Sequence, residues 1–280
     1  MEKIAILLTV HNRKDMTLMC IKQIYAQEYD RSLFGLDVFL TDDGSTDGTA
    51  DAVNNQFPDV KVIYANGSLF WNRGMYLAWD KASRTYDYDY YLWLNDDTNI
   101  YDNCILRLFN SSIDHEDKCI IVGSTCWVND KARLSYGGYR HRKLLLSIAD
   151  EQECETFNGN IVLVPKYVYK KVGNLDYNYH HSCGDFDYGY RASKLGIDIY
   201  VAKGLYGECD RHTKMKKCFD SSVSLNERWK AFNFNHQASD NFLMFSKYQG
   251  FLYAIIRIST SFVHMLIPRL YDKIFGINHL

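Results

Sequence analysis

The chain has 280 residues, 47% hydrophobic and 24% charged, a globular composition with length for one main α/β domain plus an appendage. Its formal net charge is -2, and its nearest approach to a basic cluster, Lys214-Met215-Lys216-Lys217, reads as a solvated loop, so no nucleic-acid partner is expected. The eight Cys lack CxxC pairs and no signal peptide is expected ahead of the first strand, which fits free, non-catalytic thiols in a cytoplasmic enzyme.

Apolar β-type runs over Ile4–Thr9, Leu36–Thr41, Val60–Ala65 and Tyr90–Asn95 alternate with helical patterns over Met16–Ala26, Thr49–Gln56 and Gly74–Thr85. Such alternation predicts parallel strands with crossover helices, and ligands beyond the carboxyl ends of the strands. Polar clusters fall at those ends: Thr9-Val10-His11-Asn12, then Asp42-Asp43-Gly44-Ser45, then Asn95-Asp96-Asp97. Cys119–Cys126 reads as a strand and Arg133–Ser147 as a variable surface loop or hairpin. Phe157-Asn158-Gly159-Asn160 precedes a strand at Ile161–Val164, and Pro165 suits the first position of the next helix. Gly184-Asp185 introduces a helix over Phe186–Leu195, Gly196 stops it, and a strand follows at Ile197–Val201.

The expected division is a catalytic domain over residues 1–205 and a helical region over residues 206–280. In the latter, Phe251, Ile255, Ile258, Phe262 and Met265 recur at helical spacing up to Pro268. Arg257 and His264 interrupt the run, which speaks against a membrane span. An interfacial helix with Arg269 and Lys273 near headgroups, and a helix packed on the catalytic domain or on a second subunit, both remain open. The 22 Tyr and 15 Phe have two readings as well, stacking on sugar and nucleotide rings or ordinary filling of core and surface.

Two adjacent carboxylates, Asp96 and Asp97, after a buried strand require a positive partner. A divalent cation bridging diphosphate oxygens would serve, and so would a plain acidic turn capping the helix expected near Asp102. Asp42 can accept hydrogen bonds from a base or ribose, while Asp47 suits a helix cap. Between the third strand and its helix, Arg73 beside a helix N-terminus offers a place for a diphosphate, with Trp71 either covering the donor or lidding the core. Asp185 at a helix start can be a base for an acceptor hydroxyl or an N-cap. Asp187 and Arg191, four apart, can pair and orient that helix. His212 could return to a carboxylate-bound metal.

In this order the motifs resemble glycosyltransferase family 2, inverting enzymes with a GT-A fold, over about Lys3–His212. Leu8-Thr9-Val10-His11-Asn12-Arg13 resembles the family's first strand and nucleotide-binding turn, which implies donor contacts from Thr9, His11 and Asn12. Leu40–Asp47 resembles its acidic second-strand motif, and Leu94-Asn95-Asp96-Asp97 stands where the family has its metal-binding aspartates. Gly184–Arg191 resembles the motif carrying the catalytic base, with Asp185 in that position. The stretch Phe70-Trp71-Asn72-Arg73-Gly74 is similar to rhamnosyltransferase-like and galactofuranosyltransferase-like members, in which a late His joins the metal. Two departures stand out: Asn95 replaces an aspartate, which leaves Asp97 as metal ligand and Asp96 as a substrate contact, and Gly184 replaces an acidic residue.

The resemblance implies a Rossmann-like mixed sheet with flanking helices, a Mn or Mg cofactor, a UDP- or dTDP-sugar donor and a glycan or lipid-linked acceptor. It also implies work in bacterial surface polysaccharide synthesis, with the protein cytoplasmic or at the inner face of the cytoplasmic membrane. A catalytically silent sugar-nucleotide-binding subunit is the alternative. A sugar nucleotidyltransferase fits less well, because the first turn lacks its glycines. Peripheral membrane contact and a homodimer stay open.

Overall fold

Strands that are apolar at every position need cover on both faces, and the computed structural model of the protein provides it. The structure describes residues 1–145, 149–211, 217–233 and 236–275. It divides into two compact units, Met1–Tyr177 with Gly184–Arg211, and Asn178–Cys183 with His212–Leu280.

The first unit begins with β1 (Glu2–Val10), α1 (Lys14–Tyr25), β2 (Phe34–Asp42), α2 (Thr49–Gln56), β3 (Lys61–Tyr64), α3 (Phe70–Thr85) and β4 (Tyr90–Leu94). It continues with β5 (Asn99–Ile100), α4 (Cys104–Asp114), β6 (Ile120–Trp127), β7 (Asp130–Tyr136), β8 (Gly138–Arg140) and β9 (Lys143–Leu144). Then come β10 (Gln152–Glu153), β11 (Thr156–Phe157), β12 (Ile161–Pro165), α5 (Lys166–Val172), α6 (Gly184–Lys194) and β13 (Ile199–Glu208). The main sheet runs β10-β13-β6-β12-β4-β1-β2-β3, with β5 on β13 and β7 on β6; β11, β8 and β9 form a small second sheet. β1 pairs in parallel with β2 and β4, whereas β12 lies antiparallel between β4 and β6. The result is the mixed α/β sheet with flanking helices that the sequence implies.

Side-chain alternation divides the core. Ile4, Ile6 and Leu8 of β1 pack with Ile21 and Ile24 of α1 and with Ile105 and Leu108 of α4. Ala5 and Leu7 point the other way, onto Met75 and Trp79 of α3 and Tyr188 of α6. Each fully buried Leu or Ile contributes about 1.5–3 kcal/mol. Trp79 packs on Trp93 at 5.3 Å and on Tyr188 at 5.4 Å between ring centroids, so this aromatic group is core rather than sugar platform. All eight cysteines are free.

Local expectations are refined in places. Pro165 ends β12 and caps α5 rather than opening it, because its ψ of 154° is extended. The last strand starts two residues later than expected but runs on to Glu208, through register shifts around Leu205. Of the stretch read as a loop or hairpin, the described part, as far as Leu145, is hairpin: β7 folds back on β6, and β8 pairs with β9.

The second unit holds α7 (Leu225–Asn233), α8 (Gln237–Tyr248), α9 (Phe251–Leu266) and α10 (Pro268–Phe275). Within it the buried Asp240 of α8 accepts the backbone N–H groups of His180 at 3.1 Å, His181 at 2.9 Å and Ser182 at 3.0 Å. Among the described residues no single helix is long and apolar enough to cross a membrane, and α9 and α10 meet at a 119° bend.

Gly74 sets the approach of α3 to β1. A Cβ there would lie 2.0 Å from Thr9 Oγ1 and 2.9 Å from Thr9 Cβ. Gly74→Ala is expected to cost about 1–3 kcal/mol through overpacking, read as a lower urea midpoint at unchanged slope. A midpoint equal to the parent's would contradict this account of the helix–strand contact.

Candidate active site at the carboxyl edge of the sheet

The parallel strands β1, β2 and β4 end at one edge, and the antiparallel β12 starts there. The Asn95 amide accordingly donates to the Asn160 carbonyl at 3.1 Å. Turns after Val10, Asp42 and Leu94 therefore meet the turn that precedes Ile161.

Asp96 is buried and Asp97 partly exposed. Nη1 of Arg13 donates to Oδ1 of Asp96 and to Oδ2 of Asp97, at 3.0 Å in each case. Thr17 donates to the second oxygen of Asp96 at 3.2 Å. Burial pushes the Asp96 carboxyl up to about 6, helped by Asp97 and opposed by Arg13 and Thr17. The thiol of Cys209 donates to Oδ1 of Asp97 at 3.7 Å, and burial, with Asp97 adding to it, pushes that thiol up to about 12, so it donates as a neutral group. The positive partner that the acidic pair requires is thus Arg13. Sequence reasoning missed this role, although an arginine just past a neighbouring strand end was the available signal. The carboxylate oxygens suit a hard divalent cation in kind. Among the described residues, no group of three or more His, Cys, Asp or Glu is placed to hold a metal. His212, the metal ligand expected beside Asp97, lies outside the described residues.

The second-strand turn is organised by Asp43, which was not singled out from the sequence. Its Oδ1 accepts the Gly67 amide, and its Oδ2 accepts those of Leu69 and Phe70, all at 2.9 Å. The start of α3, expected to receive a diphosphate, therefore already holds a carboxylate. Arg73 is likewise engaged elsewhere, since its Nε donates to the Tyr177 carbonyl at 3.0 Å and its guanidinium lies over the Tyr177 ring. Asp42 differs. Its Oδ1 accepts the Ser45 amide at 2.8 Å, and its Oδ2 has no hydrogen bond among the described residues.

His11 and Asn12 lace the two turns together. Nδ1 of His11 donates to the Asp43 carbonyl at 2.6 Å, which leaves Nε2 to accept from Asn12 at 3.0 Å. Oδ1 of Asn12 accepts the Thr46 amide at 2.7 Å. Thr9 faces Gly74 of α3.

Asp185 lies in the first turn of α6, half-buried. Its Oδ1 accepts the Phe186 amide at 2.8 Å and its Oδ2 the Gly159 amide at 3.1 Å. Burial lifts its carboxyl to about 6 against the pull of these two amides. Trp71 stands beside it, since a Cβ on Gly159 would come within 2.5 Å of the indole. The indole N–H donates to Oδ1 of Asn95 at 2.7 Å. Asn95, Trp71, Gly159 and Asp185 form one continuous wall, with Trp71 as a structural part of it rather than a loose lid.

The glycine at position 184 has a steric cause: a Cβ would lie 1.8 Å from Oδ1 of Asn72, whose Nδ2 donates to the Asp176 carbonyl at 2.8 Å. Asp187 and Arg191 pair as expected, at 2.8 Å. The guanidinium also donates to the carbonyls of Val172 and Asn174, both at 2.8 Å, so it ties α6 to the end of α5. Asp187 is fully buried, so its carboxylate faces the interior and holds the Arg191 guanidinium in place.

A mixed α/β sheet with its polar turns gathered at the carboxyl edge of the parallel strands matches the GT-A architecture of glycosyltransferases. The chain belongs to glycosyl transferase family 2, whose model matches residues 5–183. Its fold is similar to that of TarS from S. aureus, at 14% identity and a TM-score of 0.57, over 88% of this chain and 44% of that one. It is also similar to residues 1–349 of TarS solved with UDP-GlcNAc, at 15% identity and a TM-score of 0.56, over 86% of this chain and 67% of that one. The chain therefore spans less than half of the longer TarS structure. No curated protein matches it significantly.

The raised carboxyl of Asp185 has a consequence for stability. A folded-state pKa above the ordinary value of 3.8 gives stability that is fully present below about pH 4 and lost as pH rises through about 6. Asp185→Asn is therefore expected to unfold at a higher temperature than the parent at pH 8, and the gain should vanish near pH 4. A Tm difference independent of pH would refute the assignment of a raised pKa.

Proposed function

We propose that the protein is an inverting glycosyltransferase that moves a sugar from a nucleoside-diphosphate donor to a hydroxyl of a glycan or lipid-linked oligosaccharide. The observation that carries this reading is Asp185, a half-buried carboxylate fixed by two amides at the edge where the strand-end turns meet. With its carboxyl near 6, it is ionised at neutral pH and still basic enough to share a proton. Asp185 takes the proton of the acceptor hydroxyl. The hydroxyl oxygen then attacks the anomeric carbon opposite the leaving group, and the bond to the nucleoside diphosphate breaks.

Asp42, with one oxygen uncommitted, contacts the base or ribose. The turn at Thr9, His11 and Asn12 borders the nucleotide, and Asp96 lies toward ribose or diphosphate. A donor of UDP or dTDP type is favoured because the similar TarS structure holds UDP-GlcNAc. Asp97, with His212, would hold a divalent cation, Mn or Mg. When bound, such an ion supplies Lewis-acid neutralisation of charge on the diphosphate. The segment Phe70–Gly74 supports placing the protein near the rhamnosyltransferase-like and galactofuranosyltransferase-like members, and bacterial surface polysaccharide synthesis at the inner face of the cytoplasmic membrane is the setting that fits.

Asp185→Asn is expected to lower kcat by about 10²–10⁴-fold, with donor KM little changed. The parent's rate should fall with acidification through about pH 6, as the base becomes protonated. Full turnover by the folded variant would sink the assignment, and so would a retained anomeric configuration in the product by NMR. Asp42→Ala should instead raise the donor KM while leaving kcat within a few fold; an unchanged KM would remove Asp42 from the donor site.

A further inference from the structure

The helix α9 is apolar on the face it packs and on the face it leaves open. Ala254 and Met265 are fully buried. On the other side Leu252, Ile256, Val263 and Leu266, spaced four, seven and three residues apart, fall on one exposed stripe. After the 119° bend the pattern resumes on α10 with Leu270 and Ile274. Leu252 is 71% exposed and Ile274 63%, values that mark an open surface rather than a loosely packed core. Trp229 is also exposed and meets Phe262 edge-on at 6.0 Å, which adds an indole to the border of the stripe.

Charge decides what this surface fits. The chain carries a net charge of -2, yet from Phe251 to Phe275 there are three cations, Arg257, Arg269 and Lys273, and one acid. That acid, Asp272, lies 2.8 Å from His264. Arg269 and Lys273 are exposed and flank Leu270 and Ile274 on α10, whereas Arg257 lies on the opposite side of α9 from the stripe. An aliphatic stripe bordered by Trp and flanked by basic side chains is the pattern of a helix lying in a headgroup layer, where aliphatic side chains enter the acyl boundary and cations meet lipid phosphates. A second copy of the same face would oppose like charges.

We infer that α9 and α10 dock this protein on an anionic lipid bilayer, lying along its surface without crossing it. Vesicle binding requires no sugar nucleotide, so this inference and the proposed transferase activity can fail separately. The test is co-sedimentation of the full chain with phosphatidylcholine vesicles, with and without phosphatidylglycerol. Binding to the anionic vesicles is expected, roughly 10-fold or more weaker on phosphatidylcholine alone. Leu252→Ser with Ile256→Ser should reduce partition on the anionic vesicles by at least about 10-fold. Leu270→Ser with Ile274→Ser provides a second, independent pair, and far-UV circular dichroism checks that both fold. Arg269→Ser with Lys273→Ser should make the two vesicle types nearly equivalent. A parent protein indifferent to both vesicles overturns the inference, as does equal binding to both. A concentration-dependent dimer that the serine pairs dissolve, without vesicle binding by the parent, would assign the face to a second copy instead.

Discussion

Two carboxylates side by side at the end of a buried strand repel one another and lose water together, and the Arg13 guanidinium, 3.0 Å from each, makes that arrangement tolerable. Much of the site follows from satisfying this constraint. Arg13 stands just past the end of β1, Asp96 and Asp97 just past β4, and the two strands pair in parallel from Ile4 with Tyr90 to Leu7 with Trp93. The ion pair is therefore positioned by strand register rather than by flexible reach. Thr17 on α1 completes the shell of Asp96, so the first helix is committed to the same centre. Both oxygens of Asp97 are engaged as well, Oδ2 by Arg13 and Oδ1 by the Cys209 thiol, so any further cation there would have to share or displace those contacts.

A second carboxylate solves a different problem. Asp43 gathers three backbone amides at the beginning of α3, where a helix leaves N–H groups without partners. By occupying that position it fixes the first turn of α3, which carries Trp71, and Trp71 in turn bears on Gly159, the residue whose amide holds Asp185. The acidic residues of the site thus differ in what they hold: Asp43 carries three amides, each oxygen of Asp97 and of Asp185 accepts one hydrogen bond, and Asp42 keeps an oxygen without one among the described residues.

The sequence made the sheet legible because its strands are continuous apolar runs and its helices have a clear period; α2 over Thr49–Gln56 matches residue for residue. It made the strand-end clusters legible because ligands in such sheets bind there. What it concealed was three-dimensional allocation. Adjacent aspartates at 42 and 43 have the same chemistry in sequence and opposite fates in space. The acidic pair at 96 and 97 calls for a positive charge, and the one that meets it, on Arg13, stands 83 residues away from Asp96 in the chain. Gly184 looked like a lost acid, while the close approach of Asn72 is its cause. Pro165 suited two adjacent positions, and only the backbone angle chooses between them.

The insertion of β12 between β4 and β6 reaches beyond the geometry of the wall. Asn95 meets Asn160, and Gly159 meets Asp185, only once this strand has slotted into a sheet whose neighbours lie far off in the chain. Closing loops of that length comes before the contacts that reward it, so such pairings form slowly. The wall around Asp185 therefore carries a larger loop-closure cost than the β1–β2 pairing, whose partners lie closer together in the chain.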